Sequence, residues 1–144
     1  MFALFSCKST SNDNVVDNTK NNSISFVRGV DTFSATGGVY VGVLVVDTGS
    51  FHNVEMTGTE MSNGTTQQIV IILDGSTLVA GKKYNVTALT GANQIEYVKN
   101  GVVLPATSGI VTVNTVTGST AKGTFVCTFS DNTTITNGAF NIIY

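Results

Sequence analysis

Apolar and polar residues alternate in short runs along the chain from Ser23 to Tyr144. Successive side chains of a strand point to opposite faces of a sheet, so this alternation predicts strands with one buried face. Turn-forming residues interrupt the runs at a spacing of about 8–12 residues, which is typical of a β-sandwich or barrel. No window of about a dozen residues shows the apolar stripe of an amphipathic helix. The pattern therefore predicts an all-β domain.

The runs give about nine or ten strands once short neighbouring segments are joined. We expect an antiparallel two-sheet β-sandwich, with a closed β-barrel as the alternative. The Asn100-Gly101 pair is the strongest hairpin signal, Asn63-Gly64 marks another turn, and Asn137-Gly138 predicts a bulge. Pro105 is expected to end its strand. The predicted segments are residues 23–27, 32–35, 39–46, 51–57, 67–73, 83–87, 94–98, 102–104, 110–116, 121–129, 133–136 and 139–144.

The first 22 residues differ from the rest and predict a tether in front of a domain spanning 23–144. Residues 8–22 contain five Asn, two Asp and two Lys, a composition that cannot bury enough apolar area to form a core. The run that ends in Leu4-Phe5-Ser6-Cys7 resembles the tail of a bacterial lipoprotein signal peptide, in which the cysteine carries the lipid. It lacks a basic start and a full-length apolar region. The alternative is an ordinary frayed terminus with a chance cysteine.

Composition excludes several classes of partner. Charged residues are 11% of the chain and the net charge is −2, so nothing favours nucleic acid or an anionic lipid surface. We interpret the seven cations as surface groups that aid solubility. They are Lys8, Lys20, Arg28, Lys82, Lys83, Lys99 and Lys122. The second cysteine, Cys127, lies between aromatic residues at strand spacing and is expected to be a buried apolar side chain.

Four short motifs span most of the chain from Thr32 onward. They are Phe33-Ser34-Ala35-Thr36, Gly81-Lys82-Lys83-Tyr84, Gly123-Thr124-Phe125 and Ile135-Thr136-Asn137-Gly138-Ala139-Phe140. These motifs resemble those of an uncharacterised family of envelope lipoprotein domains from Bacteroidota. The resemblance implies a β-sandwich exported to the cell envelope, and it implies no activity.

Candidate catalytic chemistry is sparse, and we expect no enzyme and no cofactor. His52 is the only histidine, and it shares a predicted strand face with apolar residues. The carboxylates show no pairing that would suggest a glycosidase. Oxygen-rich turns at Asp47, Asp74 and Asp131 are weak candidates for calcium, although Asp in a turn usually serves turn geometry.

Three aromatic residues, Tyr40, Phe51 and Tyr97, are not placed in the core by the pattern and could stack on a ligand. We expect core or cross-strand packing for each, with stacking on a ligand as the alternative. The leading hypothesis is a non-enzymatic lipoprotein domain of the periplasm or outer membrane, anchored through Cys7, with a structural or binding role. The first alternative is a carbohydrate- or peptide-binding module that takes a glycan or protein ligand. The second is a surface subunit that assembles edge to edge.

Overall fold

The computed structural model describes residues 22–36, 39–46, 51–88 and 91–144, with the backbone alone for 41–46, 51 and 52. Every regular element among these residues is a β-strand, which confirms the all-β prediction. The strands are β1 (Ser23–Arg28), β2 (Asp31–Thr36), β3 (Val39–Val46), β4 (Phe51–Ser62), β5 (Thr65–Asp74), β6 (Lys83–Thr87), β7 (Gln94–Lys99), β8 (Val102–Thr117), β9 (Thr120–Phe129) and β10 (Thr134–Ile143).

The strands pair antiparallel in the order β2-β1-β10-β9-β8-β7-β5-β4-β3, with β6 added beside β8. Strand β8 belongs to two sheets, because its first part pairs with β7 and the part from Ala106 onward pairs with β9. The first sheet contains β2, β1, β10, β9 and β6, and the second contains β3, β4, β5 and β7. At the other side β2 approaches β4, where the Ser34 N–H donates to Glu60 Oε2 at 3.2 Å. The whole is a flattened, nearly closed barrel, which also fits the description of two packed sheets.

Pro105 does not end its strand, contrary to the sequence prediction. It pairs with Glu96 as part of β8, and the chain then crosses into the other sheet at a register shift between Ala106 and Ser108. Because the ladder is already interrupted there, the missing N–H of proline costs little. The Pro105 carbonyl accepts a hydrogen bond from the Ser130 N–H at 3.0 Å. The two segments predicted on either side of Pro105 are therefore one bent strand.

The core lies between the inner faces of the two sheets and is rich in aromatic rings. Phe26 and Phe33 stack with their ring centroids 4.6 Å apart. Phe26 also meets Phe125 and Tyr97 edge-on, at 6.1 and 5.9 Å. Such offset and edge-on pairs add to the free energy gained by burying their area. The rings therefore connect strands of both sheets.

Two glycines of β9 and β10 make room for the rings opposite them. A Cβ at Gly138 would lie 2.5 Å from the Phe125 ring, and a Cβ at Gly123 would meet the Phe140 ring similarly. The cross-strand pairs are Gly138 with Phe125 and Gly123 with Phe140. The predicted bulge at Asn137-Gly138 is confirmed by the register shift that ends at Gly138. Close approach of a ring thus explains both glycines.

Asn22, the last residue of the predicted tether, is buried at the start of β1. Its Oδ1 accepts the Ile143 N–H at 2.6 Å, and its Nδ2 donates to the Val39 carbonyl at 3.4 Å. These two bonds tie the beginning of β1 to β10 and β3. The rest of the predicted tether, including Cys7, lies outside the described residues.

We expect Gly138→Ala to lower the free energy of unfolding by about 1–3 kcal/mol, because the added methyl overlaps the Phe125 ring. Urea denaturation measures the loss, with Thr136→Ala on an exposed position of the same strand as the control. The double variant Gly138→Ala/Phe125→Leu should be more stable than the sum of its single losses predicts, since leucine leaves space for the methyl. Strictly additive losses would contradict this explanation.

Candidate functional site

Four turns lie together at one end of the barrel, and we call this end the rim. Its turns are Gly29-Val30, Asn63-Gly64, Asn100-Gly101 and residues 130–133. Both Asn-Gly pairs adopt positive φ at each residue, as the tight hairpin turns predicted from the sequence require. The Asn100 N–H donates to the Thr66 carbonyl at 3.0 Å, which joins the β7–β8 turn to the β4–β5 hairpin.

Arg28 lies at the centre of the rim with 9% of its surface exposed. It follows Ile24 and Phe26 on the inner face of β1 and comes just before the β1–β2 turn. Its Nε donates to Thr133 Oγ1 at 2.8 Å, and its NH2 group donates to Asp131 Oδ2. The guanidinium thus binds the β9–β10 turn through two side chains.

The guanidinium also stacks on aromatic rings below it. Its central carbon lies 4.7 Å from the centroid of the Tyr97 ring and 5.6 Å from that of Phe129. A cation over an aromatic face is stabilised by the ring's quadrupole, more strongly when water is excluded. The charge therefore faces two rings on one side and carboxylates on the other. That arrangement lets a charged group lie at the end of an apolar core.

Asp31 connects the two sheets across the rim. Its Oδ2 lies 3.0 Å from Lys99 Nζ on β7 and 3.9 Å from the NH1 of Arg28. Asp31 begins β2 in the first sheet, whereas Lys99 ends β7 in the second. The ion pair is partly exposed, so its direct contribution to stability is about 0–1 kcal/mol. Its main consequence is to fix the relative position of two turns.

Tyr97 lies beneath Arg28, on the core side of the rim. Its hydroxyl donates to Gln67 Oε1 at 2.5 Å, and both residues are buried. Burial raises the pKa of the Tyr97 hydroxyl, against the opposing effects of Lys99 and Arg28. The phenol is therefore neutral at physiological pH and acts as a hydrogen-bond donor.

Asp131 is held as the anion by its own turn. The Thr133 hydroxyl and the Thr133 N–H both donate to Asp131 Oδ1, at 2.5 and 3.0 Å. The Thr133 hydroxyl bond is the main cause that lowers the pKa of Asp131, and Arg28 lowers it further. The turn is thus shaped around a carboxylate that faces a guanidinium.

Apolar side chains project from the rim around these charges. The exposed fraction ranges from 98% for Val30 to 52% for Val103, with Met61 and Val102 between them. Val30 precedes Asp31, and Val102 pairs with Lys99, so both flank the ion pair. The rim therefore exposes four aliphatic side chains beside its charged groups.

The three aromatic residues suggested by the sequence do not come together. Tyr40 is 55% exposed on β3, paired with Thr57 of β4. Phe51 begins β4 at the end away from the rim, and its side chain lies outside the description, as does that of His52. Tyr97 is fully buried beneath Arg28. Tyr97 therefore does not offer the exposed stacking ring suggested as its alternative role, because its ring packs into the core.

The weak calcium candidates lie in separate places. Asp47 is outside the described residues. Asp74 ends β5, where its N–H donates to Asn93 Oδ1 at 2.9 Å. Asp131 is paired with Arg28 at the rim. In the described parts of the chain, His, Cys, Asp and Glu form no group of three or more that could hold a metal ion.

Cys127 lies under a shallow groove on the first sheet. The groove measures about 450 Å³ and is bordered by Gly109, Ile110 and Val126, among other residues without charge. Burial raises the pKa of the Cys127 thiol to about 12, so the reactive thiolate is scarce at physiological pH. A Cβ at Gly109 would lie 2.7 Å from the Cys127 Cβ, so this glycine is required by close strand packing. The buried Cys127 thiol and the uncharged residues around it therefore give the groove no acid, base or reactive thiolate.

Sequence reasoning missed the residue on which the rim is centred. The interpretation of Arg28 as a solubilising surface cation is wrong, because the side chain is buried between aromatic rings and carboxylates. The signal was present in the alternation of β1, where Ile24, Phe26 and Arg28 occupy one face. A cationic residue at a position that the alternation assigns to the core predicts a buried ion pair.

We expect Asp131→Asn to lower the free energy of unfolding by about 0.5–1 kcal/mol near neutral pH, since it removes a partly exposed charge partner of Arg28. The folded-state pKa of Asp131 lies below the ordinary 3.8, so its contribution is complete above that value. As pH falls through the folded-state pKa, the difference between variant and parent should vanish. Urea denaturation across this range measures it, with the exposed Asp74→Asn as control; a difference independent of pH would contradict the assignment.

No helix among the described residues is long and apolar enough to cross a bilayer. Comparisons with family models, with curated proteins and with solved structures found no match to this chain.

Proposed function

We propose that the chain is a non-enzymatic cell-envelope lipoprotein domain that binds a partner at the rim. The observation that supports this most is the position of the rim relative to the tether. Asn22, where the tether would enter, and Arg28 lie at opposite ends of β1, about 20 Å apart at the rise of a strand. A lipid on Cys7 would then hold the domain by the end opposite the rim.

The pairing of charges supports binding rather than catalysis. Arg28, Asp31, Lys99 and Asp131 neutralise one another and are held by ion pairs between turns. A general acid or base needs a pKa near the working pH and access to substrate. The lowered pKa of Asp131 and the raised pKa of the buried Tyr97 hydroxyl both lie away from that range. The charges serve better to fix the shape of a surface.

The exposed side chains favour a protein or peptide as the partner. Val30, Met61, Val102 and Val103 are aliphatic and exposed, and side chains of this kind gain free energy when a protein surface covers them. Sugars are usually held by stacking on aromatic rings, and the rim keeps its Tyr97 ring inside. Tyr40 alone of the three suggested aromatic residues is known to be exposed, which leaves a glycan at β3 as the second candidate.

The lipid anchor is tested by mass spectrometry of the membrane fraction from the native host. We expect a peptide that begins at Cys7 and carries acyl chains, and we expect Cys7→Ser to move the protein to the soluble fraction. A soluble protein that retains residues 1–6 with an unmodified Cys7 would contradict the anchor.

The binding surface is tested separately by a photo-crosslinking residue placed at Val30 or Val102 in cells of the native host. We expect adducts to a defined protein from these rim positions. The matched control is Val79, which is 52% exposed beyond the far end of β5. Adducts from Val79 with none from the rim would overturn the assignment of the surface.

A further inference from the structure

Strand β3 forms an open edge of the second sheet. It pairs over its whole length with β4, from Val39 opposite Gly58 to Val46 opposite Phe51. No other strand of the described residues pairs with it, and it ends the strand order. An eight-residue edge of this kind is a template for another strand.

The backbone direction shows which groups that edge presents. The Val39 carbonyl accepts the Asn22 side chain, so it points away from β4. In an antiparallel strand both backbone groups of every second residue point to the same side. Val41, Val43 and Val45 therefore direct their N–H and C=O groups toward the open edge.

The other two edges of the described barrel are protected. On β2 the Ser34 N–H is occupied by Glu60, and the strand begins with Asp31. On β6 the Asn85 carbonyl accepts the Asn93 side chain at 3.1 Å, and the strand begins with Lys83. Charges and side-chain caps of this kind discourage edge pairing. β3 contains no charged residue and no proline.

We propose that β3 pairs antiparallel with β3 of a second copy of this chain, about a two-fold axis near Gly42. Such pairing is self-complementary, because each N–H directed outward by one copy meets a C=O of the other. β3 has the sequence Val-Tyr-Val-Gly-Val-Leu-Val-Val, which contains no charged residue. Pairing of two copies therefore brings no like charges together, and nothing in the strand favours a partner of opposite charge. The net charge of −2 opposes association only weakly.

The test uses the full chain and measures its mass by sedimentation equilibrium over a concentration series. We expect a concentration-dependent dimer in the parent. Val43→Pro removes an outward N–H and places a ring on the edge, so the dimer should be lost. The control Val43→Thr keeps the N–H and should remain dimeric. Far-ultraviolet circular dichroism establishes that each variant is folded.

A second pair of variants keeps the proposal falsifiable where Val43→Pro fails to fold. Tyr40 is exposed on β3, so Tyr40→Lys adds a charge to the edge without touching the core. It should weaken the dimer at least about tenfold, whereas Tyr40→Thr should change it little.

Three outcomes would overturn the proposal. The first is a parent chain that remains monomeric at all concentrations. The second is a dimer of undiminished affinity in folded Val43→Pro or in Tyr40→Lys, which would place the contact elsewhere. The third is protection from hydrogen exchange at the Val41, Val43 and Val45 amides in a dilute monomer. That result would mean that another segment of the same chain covers the edge.

Discussion

A guanidinium at the end of an apolar core must be paired and hydrogen-bonded, and this requirement organises the rim. Arg28 satisfies it with a hydroxyl and a carboxylate from one turn, a second carboxylate from its own hairpin and the faces of two rings. Removing water from a charge costs several kcal/mol unless such partners are in place. The turns that supply the partners are consequently held in fixed positions. A surface built from loops gains order from a charge buried beneath it.

The rest of the barrel makes that position of Arg28 possible. Strand β8 bends from one sheet into the other, which brings Tyr97 of β7 beside Phe129 of β9, with ring centroids 6.1 Å apart. Glycines at positions 123 and 138 let the rings of Phe140 and Phe125 fill the space between β9 and β10. The packing of the core and the geometry of the rim therefore depend on the same aromatic residues. The aromatic rings that close the core also form the surface on which the cation lies.

Sequence patterns predicted most strands because period-two alternation reflects a single buried face. They also located both Asn-Gly turns, since positive φ at two successive residues restricts the choice of residue. The prediction that Pro105 ends its strand is wrong because a missing N–H normally interrupts strand pairing. Nothing in the neighbouring sequence reveals that β8 changes its pairing partner from β7 to β9 at this point. Arg28 differs from its prediction for a similar reason. A lone cation suggests solvent, and nothing near Arg28 in the sequence reveals the Tyr97 ring on which its guanidinium lies.

Native-state hydrogen exchange on Arg28→Gln tests most directly whether this one side chain organises the rim. Glutamine keeps a polar group but cannot reach both Asp131 and the aromatic faces. We predict faster exchange at the amides of Ser130, Asn132 and Thr133, which donate to Pro105, Phe129 and Asp131, with little change at Tyr84 and Val86 of β6. Unchanged protection in the turn, or an equal loss in both places, would contradict the central role of Arg28.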